Sequence, residues 1–182
     1  MKYRNAIMYG LVSGFIVSFG MLVWWLMPSQ RERIYDFAHS MMFVLGLMNM
    51  IIGFMTIVIL HKRMRNDSEG ALPFKRLFAS GLIITIVATI IYVSVWMIVY
   101  ENGGNQLMEV IQTGRIERIE HSDNSPEVIA EKVAETREFM KDYEEDGLFR
   151  AGVTTLEVFP VGLVFAIMSG LLFQRRKQNF LP

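Results

Sequence analysis

Residues 77–100 carry no charge and no proline and are mostly Ile, Val, Leu, Ala and Thr. At ~1.5 Å per residue a helix of that length reaches ~36 Å, enough to cross a ~30 Å hydrocarbon core with some tilt. The stretch is therefore predicted to be a membrane-spanning helix. Lys75 and Arg76 stand just before it and Glu101 just after it, so it separates a basic side of the chain from an acidic one.

The rest of the chain follows that division. Of its 182 residues 52% are hydrophobic, more than one small soluble core needs, and the excess fits lipid-facing helices. The net charge of zero hides a segregation by region. The absence of cysteine excludes disulfides, thiolate metal sites and a catalytic thiol.

Four spans are predicted, at about 7–27, 37–60, 77–100 and 151–173, and together they form a single all-α polytopic membrane domain. The basic start at Lys2 and Arg4 resembles a secretory signal. The apolar run behind it is long, ends on Trp24 and Trp25 and lacks a small-x-small cleavage site, so it reads as a retained span. His61, Lys62, Arg63 and Arg65 are expected to stop the second span. Residues 101–150 form an acidic, hydrophilic insert with a break at Gly103 and Gly104 and two candidate helices. The second is capped by Ser125 with Pro126 at its first position, and Gly147 is its expected stop. Ile129, Val133, Thr136, Met140 and Tyr143 mark its one narrow inner face.

With both termini on one side, ten of the 18 basic residues gather there, among them Lys62, Arg63, Lys75, Arg76, Arg175 and Arg176. By the positive-inside rule that side is cytoplasmic and the insert 101–150 extracytoplasmic. Trp24, Trp25, Tyr92, Trp96 and Tyr100 then fall towards the outer boundary, where amphipathic rings belong.

The Gly/Ser-containing first span that follows Lys2, together with Pro73-Phe74-Lys75-Arg76-Leu77-Phe78-Ala79-Ser80-Gly81 opening the third, resembles the bacterial domain of unknown function 4199 family. The long acidic insert before the last span fits too. The resemblance implies a four-span protein of the bacterial inner membrane and no particular activity.

Glu157 is the one acid inside a predicted span, and a carboxylate buried there without compensation costs several kcal/mol. Thr154 and Glu157 match a capping box, which would put Glu157 at the outer interface as the third residue of the span helix. The competing reading is a proton or cation site made by Glu157, with His39 near the outer end of its own span. Ser13 lies ~18 Å in depth from His39, too far for a nucleophile and its base. His39, His61 and His121 fall at separate places in this topology, so no metal is expected. Asp142, Glu144, Glu145 and Asp146 match no spacing of oxygen ligands for calcium, and at a helix C-terminus they oppose the dipole, so that last turn is expected to fray.

Gly10, Gly14 and Ser18, then Gly81, Thr85 and Thr89, then Gly162, Ala166 and Gly170 recur every four residues and form smooth faces for helix contact. The span midpoints Ser18, Asn49, Thr89 and Gly162 are expected to form one layer. Asn49 is expected to face inward and bond to Thr89 or Ser18, because hydrocarbon cannot satisfy its amide. This inventory points to a protein without enzymatic activity or cofactor that acts in binding or assembly. Its partners would be the lipid bilayer and a second copy or another membrane protein, with no nucleic acid. The alternative is a small transporter or channel-like subunit using Glu157 and His39.

Overall fold

A computed structural model describes residues 4–26, 31–69 and 71–175, and for 24, 25, 31–43, 107 and 110 it describes the backbone alone. Every regular element among them is helical: α1 (Arg4–Leu26), α2 (Arg31–Asn66), α3 (Phe74–Val99), a π turn (Tyr100–Gly104), α4 (Asn105–Glu120), α5 (Pro126–Glu145) and α6 (Gly147–Phe173). Among the described residues four stretches are long and apolar enough to cross a membrane: Arg4–Val23, Val44–Asn66, Phe74–Gly104 and Gly147–Phe173.

The four long helices form an up-down bundle. Around its axis the order is α1, α3, α6, α2, so α2 stands diagonally from α3 and α1 from α6. The helices meet on their small residues and turn their large ones outward. α1 buries Ala6, Gly10, Ser13, Gly14 and Val17 while exposing Ile7, Leu11, Phe15 and Phe19. α6 buries Thr154, Gly162, Ala166 and Gly170 while exposing Leu156, Val164, Met168 and Leu172. Lipid offers no hydrophobic drive between helices, so close packing holds such a bundle.

The small-residue contacts fix the register. A β-carbon at Gly162 would lie 2.5 Å from Thr85 Cγ2 and 2.7 Å from the Phe54 ring. At Gly81 it would meet Ala166, at Gly14 Ile91, and at Gly53 Val17. Phe54, Ile57, Ile84, Val158 and Ala166 are wholly buried along the axis, with Phe165 6.3 Å from Phe54 between ring centres.

This register differs from the expected central layer. Gly162 is level with Thr85 and Phe54, whereas Asn49 pairs with α1 at Val17. The reason is the start of α6, which opens at Gly147, four residues before the expected start of its span, so that its midpoint falls before Gly162. On α2 the helix runs on past the apolar run through His61, Lys62 and Arg63 to Asn66. Charged residues with long stems are good helix formers, so they end an apolar run without ending the helix.

At the far end α3 passes into α4 through the π turn, where Gly103 adopts φ 112°, a conformation open to glycine and costly for other residues. The expected break is thus a kink in continuous helix. α4 and α5 form a hairpin whose base rests on the bundle through Met108, Phe139 and Tyr143. Ser125 accepts from the Val128 N–H at 3.5 Å, and the inner face of α5 buries Thr136 and Tyr143.

Candidate functional site

The start of α6 decides what Glu157 is. Asp146 caps that helix, its Oδ1 accepting from the N–H groups of Leu148 (2.8 Å) and Phe149 (3.2 Å). Thr154 therefore lies inside the helix, its hydroxyl donating to the Arg150 carbonyl at 2.8 Å. The capping-box expectation is overturned, because Asp146 places a carboxylate at the helix N-terminus eight residues earlier, where the dipole favours it. The same residue ends α5, so Gly147 opens a helix instead of stopping one.

Glu157 consequently sits seven residues, about 10 Å, along α6 from Arg150. Its side chain is exposed on the bundle surface, and among the described residues it forms no hydrogen bond or ion pair. It lies within electrostatic reach of Tyr92 and Tyr143. The backbone at His39 lies in α2, and its side chain falls outside the described residues.

Just above Glu157 stands a cation that sequence reasoning passed over. Arg150 is 4% exposed at the junction of α3, α5 and α6. Its Nη2 donates to Glu101 Oε1 at 2.9 Å and its Nη1 to the Tyr143 carbonyl at 3.2 Å. Its Cζ lies 3.8 Å from the Tyr100 ring centre, a cation–π distance. Trp96 Nε1 donates to the Tyr143 hydroxyl at 2.7 Å, and Trp96, Tyr100, Tyr143, Phe139 and Phe149 make a chain of ring contacts. Burial pushes the Tyr143 phenol above its usual range. This cluster fastens the α4–α5 hairpin to the bundle. The sequence signal for it was Arg150 within one turn of an apolar run.

At the other end His61 joins three helices. It is wholly buried, with Nδ1 2.8 Å from Ser169 Oγ on α6 and Nε2 3.2 Å from Ser80 Oγ on α3. Ser80 gives its proton to the Leu77 carbonyl at 2.8 Å, so it accepts from Nε2–H, and Nδ1 in turn accepts from Ser169. The histidine was expected to sit at the end of span two with the basic residues that stop it. Instead it continues the buried face of Phe54 and Ile57 at helical spacing, and that pattern was readable.

Of the packing residues, Asn49 is half-buried and its Nδ2 donates to the Val17 carbonyl at 2.9 Å. The amide faces inward and finds backbone next to Ser18, while the hydroxyls of Ser18 and Thr89 are buried without a hydrogen bond among the described residues. Gly10 packs on Val87 and Gly14 on Ile91. Among the described residues no group of His, Asp and Glu is arranged to hold a metal ion.

Architecture and polar centres together define a four-span helical membrane protein with an appended helical hairpin. A model for a family described as a protein of unknown function, DUF4199, matches residues 8–175, and the chain belongs to that family. No curated protein and no solved structure matches the chain.

Proposed function

We propose that the chain is a non-catalytic assembly protein of the bacterial inner membrane, binding the helix of a partner through the surface that carries Glu157. One observation carries this reading: an exposed carboxylate without a hydrogen bond or ion pair among the described residues stands ~10 Å inside α6 from its Arg150 anchor. An intramembrane acid left to lipid is costly, and a helix presenting a donor or cation would relieve it. Residues 44–48 of α2 are likewise exposed on every side, and Gly46 has nothing within 4 Å of a β-carbon. The partner is a second copy or another membrane protein.

Copurification of two differently tagged copies, followed by identification of co-isolated proteins, tests this directly. Glu157→Gln keeps the shape and removes the charge, so it should reduce partner recovery severalfold while leaving the protein folded. Unchanged recovery with Glu157→Gln would sink the reading.

The orientation proposed has both termini in the cytoplasm. Cysteines placed at Asn66 and at Asn124 should differ towards a membrane-impermeant reagent on spheroplasts, with only the second labelled. The reverse pattern inverts the topology. The same lone carboxylate supports a second reading, a small proton- or cation-coupled transporter using Glu157 and His39. The apolar filling of the bundle axis by Phe54, Ile57 and Ile84 argues against an open path there. Proton flux in proteoliposomes that is lost with Glu157→Gln would favour the transporter.

A further inference from the structure

The hairpin 105–145 holds eleven acidic and five basic residues, yet three of the five bases surround one groove. At the tip, Arg115, Arg118 and Ile119 of α4, Ser122 and Asn124 of the connecting turn and Lys132 of α5 line an open groove of about 420 Å³. Among the described residues no carboxylate lines it. None of the three cations is ion-paired among the described residues, although acids adjoin them in sequence at Glu117, Glu120, Asp123 and Glu131.

Among the described residues none of the five bases of the hairpin is ion-paired, so what sets these three apart is their convergence on one groove. Here Arg115 and Arg118 are one helical turn apart on α4, and Lys132 faces them from the antiparallel helix. Part of the surround is already ordered. Arg118 Nε is held by the Gly114 carbonyl at 3.0 Å, Ser122 Oγ by the Ile119 carbonyl at 2.6 Å, and Asn124 Nδ2 donates to Ser122 Oγ at 2.8 Å. Two guanidinium groups and an ammonium around a cleft larger than a single small ion suit a ligand with several oxyanion charges.

We propose that this groove binds a soluble phosphate compound carrying two or more negative charges. Arg115 and Arg118 offer forked donors to the phosphate oxygens, Lys132 supplies a third charge from the opposite wall, and Asn124 adds a neutral contact. A soluble ligand is favoured over the headgroups of the protein's own membrane. Lys132 lies eleven residues, about 16 Å, along α5 from the Tyr143 anchor, and among the described residues the tip makes no hydrogen bond or ion pair to the bundle.

Isothermal titration of the detergent-solubilised full chain with pyrophosphate tests the assignment. Wild type should bind, and the Arg115→Gln/Arg118→Gln pair should weaken binding about tenfold or more. Lys132→Gln alone should weaken it less. The Arg137→Gln/Lys141→Gln pair removes the same charge from the same hairpin outside the groove, and should leave affinity within about twofold. Circular dichroism confirms that these surface variants stay helical. Absence of binding at millimolar pyrophosphate overturns the proposal, as does equal weakening by both double variants, which would mean a diffuse charge effect. Equal affinity for citrate overturns the phosphate assignment. A tenfold loss of pyrophosphate affinity when phosphatidylglycerol replaces phosphatidylcholine in proteoliposomes would show headgroups filling the groove and overturn the soluble source.

Discussion

The two ends of the bundle are fastened by opposite chemistry. At the hairpin end a guanidinium is buried, and at the termini end an imidazole held between two hydroxyls. The charged fastening works because one partner keeps its water. The Glu101 side chain is 67% exposed, so the pair is only half desolvated while Tyr100 covers the other face of Arg150. Among the described residues His61 has no carboxylate partner, its ring nitrogens meeting Ser169 and Ser80, and it lies within a few residues of Lys62, Arg63 and Arg65 on its own helix. A second positive charge there would be repelled and desolvated together, so a neutral donor–acceptor node suits that site. A charge at a membrane boundary therefore anchors well when a counterion reaches water, and a neutral network serves where only like charges are near.

The sharpest way to break this contrast is Arg150→Met, which keeps the stem and removes the charge. We expect a loss of about 3 kcal/mol, at the low end for a buried pair because Glu101 remains solvated. Hydrogen exchange should rise across α4 and α5 while α1 and α3 stay protected. Uniform exchange in the variant would show that the hairpin is held elsewhere.

A smaller effect is expected for Tyr143→Phe, which strands the Trp96 N–H in a buried place and should cost about 1.5 kcal/mol in thermal or denaturant unfolding. This site also gives the hairpin end a pH signature. Because burial raises the Tyr143 phenol in the folded protein, its contribution is complete below the ordinary tyrosine value of ~10 and fades as pH climbs through the raised value. The alkaline loss of stability should be shallower in Tyr143→Phe than in wild type.

At the termini end His61→Leu removes two neutral hydrogen bonds, and Ser80 retains the Leu77 carbonyl, so about 1 kcal/mol should be lost. A loss as large as that of Arg150→Met would erase the distinction between the two ends. Asn49→Leu, between the ends, sets the scale for one intramembrane hydrogen bond at about 0.6 kcal/mol, readable as a small shift in unfolding midpoint.

What the sequence determined by itself was the helical, four-span character of the chain, because hydropathy over some twenty residues is a local property set by bilayer thickness. Caps at Ser125 and small faces such as Gly10, Gly14 and Gly162 were equally local and equally legible. Charge marks the end of the apolar run on α2 but not the end of the helix, which continues through Lys62 and Arg63 to Asn66. The polar centres needed the tertiary structure. Arg150 finds Glu101 forty-nine residues away and His61 finds Ser169 at a separation of 108, and no spacing rule connects positions on different helices. Glu157 was visible as an anomaly from the start, but whether it capped a helix or stood alone within the apolar band depended on where α6 begins. Asp146, shared between the end of α5 and the start of α6, decided that, because one carboxylate at the junction satisfies the N–H groups of the new helix and moves its start eight residues upstream of Thr154.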